Sequence, residues 1–362
     1  MSMQISYKKQ IILCILFCMI LIIVVEGALR IFEYVTVPCS IYENEAFEQL
    51  NYFEKKNICY DTNTLVHGKS PLYLIKPFQE KFTMNINSQG FRGPEISNDE
   101  DVIRIFFTGG STAFGFGSTS DKTTIPGYLQ EFFDENYKNL NIQVINAGIN
   151  GADSYREILY IKEKLINFQP FLIISYTGVN DSGGYMREII FNQNDVDETN
   201  FLKFSDLPWY RTPFVINNLV KNHLNLENNS IKDKVIDFEV SENTFQNNWG
   251  ESCKLLKNKN IKSAIFIQPA LVTKKSPSNF EKEILNEAYQ DQKIILERFS
   301  KTSTELRKKC DIVEDIRFVL DETTETTYYD SVHMNNLGNK IVAKKIYEKI
   351  EPIIKNEFAS LN

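Results

Sequence analysis

From residue 101 onward, short runs of β-branched and aromatic residues alternate with longer amphipathic stretches. This alternation restricts the fold more than any other feature of the chain. The runs are VIRIFFT (102–108), IQVIN (142–146), FLIISY (171–176), SAIFIQ (263–268) and DIVEDI (311–316). They are apolar on both faces, as strands are when helices cover both sides of a parallel sheet. Helices are expected near 124–137, 152–168, 243–259 and 279–308. A last one is expected near 336–350, where Leu337, Ile341, Ile346 and Ile350 recur at helical spacing. The pattern predicts a three-layer α/β/α sandwich on a five-stranded parallel sheet. In such sheets ligands and chemistry sit at the carboxyl ends of the strands.

The amino terminus follows a different rule. Lys8 and Lys9 precede an uninterrupted apolar run, Ile11 to Val25. That run alone spans about 22 Å as a helix, short of the roughly 30 Å bilayer core. Continuing through Gly27, Ala28, Leu29, Ile31 and Phe32 supplies the remainder, and Glu26 and Arg30 stand four apart, able to pair on one helix face. Residues 1–35 are therefore expected to form a single-pass anchor in the cell membrane. Its two lysines favour a cytoplasmic amino terminus and an extracytoplasmic main domain. A cleaved signal peptide is the rival, since its apolar core has this length, but no A-x-A site follows.

Residues 36–100 read as an irregular, aromatic-rich leader ending in NINSQGFRGPEI, a strap on the domain at 101–358. There Gly90, Gly93 and Pro94 mark turns and Phe91 can pin the segment to a core. Residues 182–240 form an Asn-rich insertion too long for a crossover, either a lid or binding loop or a decoration. Six cysteines fit no metal or disulfide spacing: a Cys39–Cys59 bridge is conceivable outside the cytoplasm, and unpaired, partly buried thiols are the plainer expectation. A net charge of −7 without a long basic block argues against nucleic acid as a partner.

Glycines flank Ser111 on both sides in FTGGSTAFGFG (107–117), directly after the first strand. A P-loop would need lysine where Phe116 stands, and a dinucleotide turn would need glycine where Ser120 stands. The remaining reading is a nucleophile. A serine hydroxyl needs a base to take its proton, and the chain has three histidines. His67 lies in the leader and His223 in the insertion; both read as surface residues. His333 follows the fifth strand in YYDSVHMNNLGN, with Asp330 three residues earlier to orient the imidazole. Two further strand ends, VINAGING and SYTGVND, offer donors for an oxyanion in the Gly148 amide and the Asn180 side chain.

The set Ser111 in G-G-S-T, Gly148 in N-A-G-I-N-G, Asn180 in G-V-N-D and Asp330/His333 in D-S-V-H resembles the SGNH hydrolases, also called GDSL-type esterases and lipases, over roughly 102–350. The resemblance implies a flavodoxin-like fold, a Ser111–His333–Asp330 triad, and an oxyanion hole from the Ser111 and Gly148 amides with Asn180. It implies neither cofactor nor metal. The G-D-S-L motif itself reads Gly109-Gly110-Ser111-Thr112, without the acidic residue or the leucine. The resulting expectation is serine-dependent hydrolysis of an ester, a small O-acyl (acetyl) group on a saccharide or lipid carrier outside the cytoplasm. O-acyl transfer by the same triad, a non-catalytic membrane-tethered binding protein and a phosphate- or nucleotide-binding protein are the alternatives. Oligomeric state is not legible.

Overall fold

The structure is a computed structural model in which residues 6–68, 72–182, 212, 215–216, 238–285 and 290–358 are described. Most of the insertion expected at 182–240 thus lies outside the described residues. The chain divides into two compact units, Met1–Pro38 with Asp197–Lys232, and Cys39–Val196 with Asp233–Asn362.

In the first unit, helix α1 (Tyr7–Thr36) runs 30 residues with a hydropathy of 3.0 over its most apolar window, long and apolar enough to cross a membrane. At 1.5 Å per residue it spans about 45 Å. The Glu26–Arg30 pair forms as the spacing required, with Arg30 Nε 2.7 Å from Glu26 Oε1. The other carboxylate oxygen of Glu26 accepts from the Thr212 amide (2.8 Å) and hydroxyl (2.6 Å).

The second unit is built on β3 (Ile103–Gly109), β4 (Ile142–Gly148), β5 (Leu172–Thr177), β6 (Lys262–Ile267) and β7 (Ile312–Asp315). All pair in parallel, in the order β4-β3-β5-β6-β7. Alternate side chains feed two cores, as the strand period of two demands. Phe106, Ile173, Ile265 and Val313 enter one. Ile105, Phe107, Ile174 and Phe266 enter the other. Helices α5 (Ser154–Glu163), α7 (Phe238–Asn258) and α9 (Gln290–Leu306) cover the first face. Helices α4 (Ile125–Asn136) and α10 (Asn336–Glu357) cover the second. The expected sandwich and its five-stranded parallel sheet are therefore present. The chain reverses direction across the sheet between β3 and β5, the switch point at which open α/β sheets bind ligands.

Several boundaries differ from the expectations. The helix expected at 279–308 is two: α8 (Asn279–Ile284) ends at Leu285, whose extended backbone (φ −71°, ψ 128°) cannot continue it, before α9 begins. The last helix continues past 350 through Pro352 to Glu357, because buried Ile350 and Ile354 hold both sides of the proline to the core. The stretch at 152–168 closes with a 3₁₀ turn at Leu165–Phe168.

The leader is more ordered than its sequence suggested. It contains α2 (Tyr52–Asn63), capped by a reciprocal pair in which Asn51 Oδ1 accepts the Phe53 and Glu54 amides and Glu54 accepts the Asn51 amide. A two-stranded antiparallel ribbon follows, β1 (Gln79–Glu80) with β2 (Asn85–Ile86). Phe91 does pin the segment, packing against Phe106 and Phe168 with ring centroids 5.5 and 5.4 Å away. Arg92 then bridges antiparallel to Asn146 on β4, covering an edge that would otherwise template aggregation.

Cys14 and Cys18 are unpaired, as expected, though exposed; for the other four cysteines the expectation of unpaired thiols is overturned. Cys39 is bonded to Cys59, and Cys253 to Cys310. The second pair joins α7 to the start of the β7 strand, a neighbourhood that only the folded sheet creates. It closes a span of 57 residues, for which chain entropy predicts about 4 kcal/mol of stabilisation. Replacing both Cys253 and Cys310 by alanine should lower the urea-unfolding free energy by about 2–4 kcal/mol, and a loss below about 1 kcal/mol would show that the bridge does not constrain the unfolded chain.

Candidate active site

The glycines beside Ser111 have a steric reason. Strand β3 ends at Gly109, whose φ of +151° and closeness to the Tyr176 carbonyl exclude a side chain. A Cβ on Gly110 would collide with Asn180 Nδ2. The chain then turns into the short helix α3 (Ser111–Phe114), which ends at Gly115 in the left-handed region. Ser111 opens that helix with 8% of its surface exposed. Its amide donates to no acceptor among the described residues. Gln268, just past β6, donates to Thr112 Oγ1 (3.2 Å) and steadies the same turn. Nothing in the sequence singled it out.

His333 meets Ser111 across 222 positions, with Nε2 2.7 Å from Oγ. Its Nδ1 lies 2.7 Å from Asp330 Oδ2. Asp330 Oδ1 also accepts the Val332 amide (2.9 Å) and the His333 amide (2.7 Å). The carboxylate accepts from Nδ1–H, so Nε2 is left with a lone pair aimed at the serine hydroxyl. Burial pushes the Asp330 carboxyl up, but the hydrogen bonds and charge of His333 and the Val332 amide outweigh it and hold the group below the usual carboxylate range. The imidazole lies between Tyr329, stacked at 5.7 Å, and Phe116, tilted at 6.1 Å. All three expected triad residues thus come together.

The loop carrying Asp330 and His333 is fastened from below. Fully buried Glu281 accepts the Thr327 amide (2.9 Å) and the Tyr328 amide (3.0 Å) through Oε1, while Oε2 takes Lys274 Nζ at 2.7 Å and the Ser278 amide at 2.8 Å. Ser331 accepts the Leu271 amide at 2.9 Å.

The expected oxyanion donors divide. Asn180 lies on α6 (Val179–Ser182) at the end of β5, beside Gly110. One hydrogen of its Nδ2 goes to the Ala152 carbonyl (2.7 Å), and an amide carries two. Gly148 does not fit the role expected of it. Its amide donates to Asn146 Oδ1 at 3.1 Å, and a Cβ there would strike the backbone of Phe114. It is the glycine that lets α3 lie against β4. Three residues on, Gly151 turns with φ +64°, and its amide has no acceptor among the described residues. The Asn150–Gly151 pair is the signal that could have found it, since that dipeptide marks a tight turn with positive φ.

His67 is not the surface residue expected. It is half-buried, and burial holds its imidazole below the ordinary value against a backbone hydrogen bond at Leu65. His223 lies outside the described residues. Among the described residues, no cluster of three His, Cys, Asp or Glu stands where a metal ion could be held.

No family model and no curated protein matches the sequence. Solved structures do. An acetyl xylan esterase, AlAXEase, is 17% identical over 68% of this chain and 98% of its own, with a TM-score of 0.42. TesA is 13% identical over 69% and 98%, at 0.41. A catalytic mutant of Axe2, an acetylxylan esterase from Geobacillus stearothermophilus, is 14% identical over 68% and 94%, at 0.43.

Proposed function

We propose that the chain is a serine esterase using Ser111 as nucleophile, His333 as general base and acid, and Asp330 to orient the imidazole. The single observation that carries this reading is the unbroken line from Ser111 Oγ through His333 Nε2 and Nδ1 to Asp330, with both contacts at 2.7 Å. Ser111 Oγ attacks the ester carbonyl carbon as its proton passes to Nε2. The carbonyl oxygen becomes an oxyanion, met by the Ser111 amide, the second Nδ2 hydrogen of Asn180 and the Gly151 amide, which takes the place expected of Gly148. The tetrahedral centre collapses, the C–O bond to the alcohol breaks, and the imidazolium gives its proton to the leaving alkoxide. Water, deprotonated by His333, then releases the acyl group and restores Ser111.

The substrate we infer is a small O-acyl ester, acetyl foremost, on a saccharide or lipid carrier outside the cytoplasm. The anchor-like α1, the lysines Lys8 and Lys9 in its first turn and two disulfides, which persist in oxidising compartments, support that location. Intact cells treated with an external protease should lose the main domain. Its protection until lysis would contradict the topology.

A panel of acetylated sugars and longer acyl esters, run beside Ser111→Ala, tests the chemistry. Turnover of short acyl esters that vanishes in the variant is expected; equal turnover in both would refute the assignment. Asn180→Ala should lower kcat by about 10²–10³-fold with little change in KM, since the donor acts on charge that develops in the transition state. A change in KM alone would remove Asn180 from the oxyanion site.

A further inference from the structure

We infer that Arg92, in the leader, is a positioning residue for the nucleophile; the inference rests on the serine-esterase reading above. Its guanidinium is wholly enclosed, and every nitrogen is committed. Nη1 donates to the carbonyls of Phe114 (3.2 Å) and Gly115 (2.8 Å), which close the helix that Ser111 opens. Nη2 donates to the Thr83 carbonyl at 2.8 Å, and Nε pairs with Asp121 at 2.7 Å. The guanidinium also lies over the Phe114 ring, 5.2 Å from its centroid.

Those contacts converge on one short element. Helix α3 has a single turn, so its own hydrogen bonds barely hold it. Asn146 Nδ2 binds the Phe114 carbonyl from the β4 side at 3.0 Å, and the Asn146 carbonyl accepts the Arg92 amide at 3.2 Å. Arg92 therefore fixes the far end of the turn, and with it the azimuth of Ser111 against His333. The ring of Phe114 passes the same restraint on to Phe116, edge-on at 5.3 Å, which flanks the imidazole. The leader donates no atom to the reaction but holds the geometry in which the hydroxyl reacts. Lysine cannot replace this fork, because its single nitrogen cannot serve two carbonyls, Asp121 and Thr83 in fixed directions.

The test uses the full-length chain in detergent, comparing wild type, Arg92→Lys, Arg92→Met and Ser111→Ala. Four quantities are measured: kcat and KM on 4-nitrophenyl acetate, the second-order rate of Ser111 labelling by a fluorophosphonate, and the melting temperature. Displacements near 1 Å cost on the order of 10²-fold in rate. Arg92→Met should therefore lose about that factor in both kcat and labelling rate per folded molecule, with KM within about twofold. Arg92→Lys, which keeps the buried charge and so the fold, should lose at least about tenfold. Labelling and kcat at wild-type values in folded Arg92→Lys would overturn the inference, even with a lowered melting temperature. An active Ser111→Ala would instead bring down the esterase reading itself. An inactive Ser111→Ala beside an unimpaired Arg92→Lys would remove only the role of Arg92.

Discussion

Ser111→Ala is expected to lower kcat on a short-chain aryl acetate by on the order of 10⁴-fold or more, while the melting temperature stays nearly unchanged. The two halves of that expectation have different sources. Removing the nucleophile of a Ser–His–Asp triad leaves only binding and oxyanion stabilisation. Removing the hydroxyl from the fold deletes one hydrogen bond, to His333 Nε2, worth about 1 kcal/mol. The turn itself is held by Gly109, Gly110 and the Gln268–Thr112 contact, none of which needs the serine side chain. Residual activity within tenfold of wild type would mean that another group attacks the ester.

Glu281→Ala is expected to have the largest effect on stability, a loss of about 3–5 kcal/mol in chemical unfolding. The substitution strands the Lys274 ammonium, whose side chain is 1% exposed, and frees the amides of Thr327 and Tyr328. Pairing it with Lys274→Met removes the stranded charge and should recover most of the loss. A single variant losing less than about 1 kcal/mol would contradict this. Activity should fall in the single variant as well, since the freed amides lie two and three residues before Asp330. The same carboxyl also sets acid sensitivity. Burial pushes Glu281 up, but Lys274 and the amides of Ser278, Tyr328 and Thr327 outweigh it and hold it below the usual value. Its folded value is depressed, so its contribution is present above the unfolded value of about 4.3 and is lost as pH falls through the lower folded value. Asp330 behaves in the same direction. Wild type should therefore lose stability below about pH 4, and the Glu281→Ala, Lys274→Met double variant should lose less over that window.

The parts of this molecule that sequence made legible are those governed by local pattern or by elimination. Strand β3 is apolar on both faces, and its end carries glycines that fail both phosphate-binding patterns, so a nucleophile turn remained. Three histidines left a short search, and only His333 had a carboxylate three residues away at a strand end. What escaped depends on distant parts meeting. The Cys253–Cys310 bridge joins segments 57 residues apart that only the sheet brings together. Gly148 looked like an amide donor because it follows a strand, yet the Asn146 side chain reaches its N–H first and α3 needs the space above it. Helix α2 was readable from its Asn51–Glu54 cap, but its weak apolar periodicity hid it. The clamps at Arg92 and Glu281 left no local trace, since a lone buried charge looks in sequence like any solvated one.

The most direct test of the account is the intact mass of the folded chain after treatment with a fluorophosphonate. One adduct per chain, mapped to Ser111 and absent from Ser111→Ala, is the predicted result. A folded wild-type chain that stays unmodified, or a Ser111→Ala chain that is modified equally fast, would contradict the claim that His333 activates Ser111.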